Sequence, residues 1–161
     1  MKIKFFLFLL GIPLLCGCIN FARLYPVRGP LSDQTPPPIL HARVTEIFNS
    51  GNISVTLADG EVCKGHWRLV RQDLATTGPH APSAPESNSL SAEWDAVYGP
   101  GYFVANILGT RFLARSVLSG NRGSILTVEM YKPDNAPPGS SPGVIKGVAK
   151  DNKDNIYKLT F

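Results

Sequence analysis

The stretch Ile53-Ser54-Val55-Thr56-Leu57 alternates apolar and hydroxylated residues with a period of two. Only a half-buried β-strand uses that pattern, because successive side chains of a strand point to opposite faces. Short runs of the same kind recur along the chain, separated by Gly, Asn and Asp. Residues 40–70 read as a three-stranded meander. "YFVANIL" and "RFLARSVL" flank Gly109-Thr110 as a hairpin, "SILTVEMY" follows the turn "SGNRG", and "VIKGVAKD" and "NIYKLTF" close the chain around "NKD". The chain is therefore expected to be mainly β: a small antiparallel barrel or sandwich of about eight short strands.

The turn after Leu57 sets the register of the meander. A two-residue Asp59-Gly60 turn would place Cys63 opposite Thr56, on the polar face. A three-residue loop, Ala58-Asp59-Gly60 with Gly60 in the left-handed position, places Val55 opposite Cys63 and Ile53 opposite Gly65. The second register puts Cys63, Trp67 and Leu69 on one face with Ile53, Val55 and Leu57. A slip of one residue would expose all of them, so the three-residue loop is expected and Cys63 is read as core. One departure from strands is expected at "SAEWDAVYG". There Trp94, Val97 and Tyr98 share a helical face, Ser91 stands where a cap belongs and Gly99 can end the turn, giving one short helix that covers the sheet.

The first residues follow another logic. Lys2 and Lys4 precede an apolar run from Phe5 to Leu15, too short to cross a bilayer core, which needs about 20 residues. The run ends in Leu15-Cys16-Gly17-Cys18, which resembles the lipobox of bacterial lipoproteins. That resemblance implies a signal over 1–17, attachment of a diacylglycerol to the Cys18 thiol, and cleavage that leaves Cys18 as the new N-terminus. It also implies the outer membrane, facing periplasm or surface, because Ile19 stands where an Asp favours inner-membrane retention. A second resemblance rests on "LYPVRGP", "NSGNISVTLADGEVCKGHW", "EWDAVYGPGYFVA" and "GVAKDNKDNIYKLTF". These are similar to segments of a group of small bacterial lipoproteins with no assigned activity, and they carry over only the lipidated Cys18.

Removal of residues 1–17 would leave 144 residues, enough for one domain. Residues 18–38, ending in "SDQTPPP", read as a lipid anchor followed by a proline-stiffened tether, and 39–161 as a single β domain. "TTGPHAPSAPESNS", residues 76–89, reads as a flexible loop. Without Lys2 and Lys4 the chain carries 14 basic and 12 acidic side chains, a net charge of +2, too balanced for nucleic acid.

The functional signals are sparse. In the chosen register His41, Arg43 and Thr45, Ser54 and Thr56, and Lys64, His66 and Arg68 all point away from the core. Cationic side chains beside a row of hydroxyls suit an anionic glycan or lipid head group. His41, His66 and His80 have no ligand spacing, so neither a metal nor a cofactor is expected. No nucleophile elbow or phosphate loop is present. The expected function is a membrane-anchored, non-catalytic module for binding or assembly, with an envelope protein, a glycan or a lipid head group as partner. An envelope hydrolase or transferase with a scattered active site is the alternative. The ending Tyr157-Lys158-Leu159-Thr160-Phe161 resembles the terminal signal of outer-membrane barrels, but spanning strands need about 9–11 residues and an apolar outer band.

Overall fold

The computed structural model describes residues 18–46, 50–70, 89–137 and 139–161. The expected signal over 1–17, His80 and all but the last residue of the 76–89 loop lie outside them. Eight strands form a closed antiparallel barrel in chain order: β1 (Cys18–Arg28), β2 (Leu40–Glu46), β3 (Ser50–Thr56), β4 (Val62–Leu69), β5 (Leu113–Ser119), β6 (Ile125–Tyr131), β7 (Lys146–Asp151) and β8 (Ile156–Thr160). Among the described residues a single α-helix, α1 (Ser91–Tyr98), lies in the segment between β4 and β5. Closure removes the exposed strand edges that an open sheet of this size would present.

The meander has the expected register. Val55 faces Cys63 and Ile53 faces Gly65. Gly60 adopts φ +80°, a left-handed conformation that glycine adopts at little cost. Inward-pointing residues of all eight strands, among them Leu24, Val44, Ile53, Val55, Leu118 and Leu159, make one interior core. Cys63 is fully buried within it, and burial pushes its thiol pKa up, which suppresses the reactive thiolate. Gly65 is required where β4 approaches β5, because a Cβ there would collide with the Val117 carbonyl and the Ser116 hydroxyl.

Two expectations are corrected. Residues 18–38 are not a tether ahead of a domain that begins at 39. Residues 18–28 are a wall of the barrel, paired with β2 from Cys18↔Glu46 to Leu24↔Leu40 and with β8 from Arg23↔Thr160 to Arg28↔Ile156. The prolines belong to the connection that follows, where Leu31 packs against the interior core and its N–H donates to Asn155 Oδ1 at 2.8 Å. The second correction concerns "YFVANIL", which is not a strand. Phe103–Ile107 is a π-helical turn whose Phe103 N–H is held by Asp95 Oδ1 at 2.9 Å, and Ile107 is buried beside the helix. Gly109 ends this turn instead of linking a hairpin. The expected number of strands is thus met with one strand exchanged for another.

Helix α1 and the π-helical turn cover the outside of the second half of the barrel. Leu90, Trp94 and Ile107 pack on Leu113, Tyr131 and Val148, outward residues of β5, β6 and β7. Ser91 does not cap the helix, as the sequence suggests it should. The Leu90 N–H donates instead to Glu129 Oε1 at 3.3 Å. Glu129 is fully buried between helix and wall, and it also accepts from Trp94 Nε1 at 2.7 Å while pairing with Arg115 at 2.8 Å. Tyr98 and Tyr102 stack at 4.8 Å, with the Lys146 ammonium 5.6 Å and 5.3 Å from their ring centres. Lys158 of β8 lies 5.3 Å from the Tyr98 ring centre, so these contacts fix the helix to β7 and β8 as well as to β6.

Candidate functional site

The polarity of the wall differs between its two halves. On β1–β4 the outward positions alternate with the core positions, so they follow directly from the strand period. They are Ile19, Phe21, Arg23 and Tyr25 on β1, His41, Arg43 and Thr45 on β2, Ser50, Asn52, Ser54 and Thr56 on β3, and Val62, Lys64, His66 and Arg68 on β4. The registers Arg43↔Ser54 and Ser54↔Lys64 set a hydroxyl between two cations. Thr45 Oγ1 accepts from the Asn52 N–H at 3.1 Å, and Asn52 Oδ1 lies 3.4 Å from His66 Nδ1.

His41, Arg43, Lys64, His66 and Arg68 are therefore brought onto one exposed face, as the sequence register requires. The face also contains Arg23, opposite His41, which the sequence reading missed because it assigned β1 to a tether. None of these outward positions carries an acidic side chain. Among the described residues Arg23, Arg43, Lys64 and Arg68 make no ion pair, whereas the helix-covered half holds the pairs Arg115–Glu129 and Lys150–Glu93. Four unneutralised cations on one side exceed the net charge of +2 expected for the chain after residue 17. Such segregation creates a positive field that a balanced total conceals.

The basic face adjoins a groove of about 590 Å³ where β8 ends and β1 continues beyond it. Phe21, Arg23, Tyr25, His41 and Thr160 line it. Phe21 is 75% exposed, the most exposed large apolar side chain among the described residues. Cys18 opens the same strand, three residues earlier, so the residue identified by the lipobox resemblance is continuous in backbone with this face.

The two ends of the barrel differ in chemistry. A second cavity of about 300 Å³ opens at the end where Phe161 emerges, lined mainly by apolar groups including Val44, Trp67, Leu69 and Met130. The opposite end is closed by carboxylates that are fully occupied. Asp151 Oδ2 accepts from the Tyr157 hydroxyl at 2.7 Å and from Asn155 Nδ2 at 2.9 Å. Burial, together with this bond to Asp151, pushes the Tyr157 phenol pKa far up. Glu61 Oε2 accepts from the Ser124 hydroxyl at 2.7 Å, which holds the Glu61 carboxyl below its ordinary range, and the Arg122 N–H reinforces it. No buried side-chain polar atom among the described residues lacks a partner, so these groups are committed to structure. Among the same residues no group of three His, Cys, Asp or Glu side chains is placed to hold a metal ion, and no helix is long and apolar enough to cross a membrane. No protein-family model, curated protein or solved structure matches the chain.

Proposed function

We propose that this chain is a bacterial lipoprotein, acylated at Cys18, whose barrel is a binding module for an anionic ligand, either a glycan or a lipid head group. The anchor rests on the lipobox resemblance of Leu15-Cys16-Gly17-Cys18. Two acyl chains on one sulfur-linked glycerol hold a protein stably to a membrane, where a single chain does so only marginally. The Ile19 at the following position favours the outer membrane.

The observation that carries the binding role is the acid-free outer face of β1–β4, with Arg23, Arg43, Lys64 and Arg68 exposed and without ion pairs among the described residues. Guanidinium groups bind phosphate and carboxylate in bidentate fashion, and the intervening hydroxyls of Ser54 and Thr56 add donors at fixed spacing. Cys18→Ser should move the protein from the membrane to the soluble fraction. Arg43→Glu with Arg68→Glu should abolish retention on an immobilised polyanion at physiological salt while leaving the fold intact by circular dichroism. Unchanged fractionation would remove the anchor, and unchanged retention would remove the binding face.

A further inference from the structure

We infer that the anionic ligand of the β1–β4 face is the surface of the very bilayer that holds Cys18, so that the barrel lies on its side with α1 turned away from the lipid. The inference rests on the proposed acylation of Cys18. Without a tether, no slack separates the anchor from the wall. Cys18 is already a strand residue, and Ile19, Phe21 and Arg23 project from the outer face within the next five positions. A strand advances only about 3.3 Å per residue, so Phe21 and Arg23 lie about 10 Å and about 16 Å along the wall from Cys18, close enough to share the membrane surface with the anchor when the wall lies flat on it. Attachment at that point keeps the face at a high effective concentration against the bilayer.

The surface has the composition that interfacial binding requires. Phe21 and Ile19, 75% and 44% exposed, offer apolar insertion beside the anchor. Arg23, Arg43, Lys64 and Arg68 stand behind them in the sheet, available to phosphate oxygens, and no acidic side chain of these strands points the same way. Basic side chains next to inserted apolar ones are the combination that binds anionic membranes. The other half of the wall is less suited to this role, because α1 and the π-helical turn cover much of it, Arg115 and Lys150 are paired with Glu129 and Glu93, and Lys146 and Lys158 lie over the Tyr98 and Tyr102 rings.

The acylated full-length mature protein, its mass verified, can be reconstituted in vesicles of phosphatidylglycerol and phosphatidylethanolamine containing brominated acyl chains. Phe21→Trp reports on the proposed contact, and Val104→Trp, 66% exposed on the π-helical turn, reports on the covered side. Trp67 and Trp94 supply the same background in both. The expected result is quenching several-fold stronger at position 21 than at position 104. Reversing Arg43, Lys64 and Arg68 to Glu should lower it while Cys18 keeps the protein in the vesicle fraction. Equal quenching at the two positions in acylated protein overturns the orientation and leaves the anchor standing. Quenching absent at position 21 while a soluble sulfated polysaccharide binds the face identifies a glycan ligand and overturns the inference alone. An unacylated Cys18 overturns both this inference and the reading on which it rests.

Discussion

Replacing Glu129 by Gln tests how the helix is fastened to the barrel. The carboxylate is fully buried yet points outward from β6, and it holds three residues at once, from α1, its N-cap position and β5: the Leu90 N–H at 3.3 Å, Trp94 Nε1 at 2.7 Å, and Arg115 through Nε at 2.9 Å and Nη2 at 2.8 Å. Glutamine preserves the shape and one acceptor but removes the charge, and its amide group then faces donors. A hydrogen bond to a charged group contributes about 1.5–3 kcal/mol net, and removing one partner of a buried ion pair costs about 3–5 kcal/mol. The retained acceptor places Glu129→Gln near the lower end of that range, about 3 kcal/mol, and Glu129→Ala near the upper end. For a domain of this size 3 kcal/mol lowers Tm by about 10 °C. Trp94→Phe, which removes a single donor, should cost about 2 kcal/mol. Because both groups meet in one network, the double substitution should cost less than the sum of the two. Guanidinium unfolding of the four proteins measures all of this. If Glu129→Gln changes stability by less than about 0.5 kcal/mol, within the range of an ordinary surface substitution, the carboxylate does not anchor the helix.

Two further outcomes follow from the barrel's close contacts and its closed end. Gly65→Ala should destabilise by about 1–3 kcal/mol, since the new methyl meets the fixed Val117 carbonyl of the neighbouring strand; an unchanged chemical-denaturation midpoint would contradict that close approach. Acidification should destabilise the protein through Glu61, whose folded-state pKa is depressed by the Ser124 hydroxyl from its ordinary value of 4.5. A depressed carboxylate contributes stability that is present above its ordinary pKa and is lost as pH falls through the folded value. Tm should therefore hold down to about pH 5 and fall below it, and Glu61→Gln should lower Tm at neutral pH while flattening the acid limb. An equally steep acid limb in Glu61→Gln would locate the loss elsewhere.

The parts of the fold legible in the sequence are those where one strand face is wet. Between residues 40 and 70 the outer face is exposed, so the period of two survives, and it yields both the register of Cys63 and the face of His41, Arg43, Lys64, His66 and Arg68. β1 lacks that signal because its outward face is largely apolar, with Arg23 as the charged exception among its paired outward residues. Ala22 and Leu24 face the core while Ile19, Phe21 and Tyr25 point outward, and three nearby prolines suggest an extended tether. Arg23 and Phe21 were lost to the site for the same reason. On β6 the pattern is blurred from the other direction, because α1 buries Glu129 and Tyr131 on the outer face. "YFVANIL" has the apolar content of a strand, but its place over Leu113 and Tyr131 and the Asp95 bond to Phe103 are tertiary contacts that local pattern does not encode.

Tandem mass spectrometry of the mature protein extracted from membranes addresses the account at its root. The expected N-terminal fragment begins at Cys18, carries a diacylglycerol on sulfur, and continues directly into the Ile19–Phe21 segment of the barrel wall. A chain that begins elsewhere, or a Cys18 without acyl mass, would contradict the account.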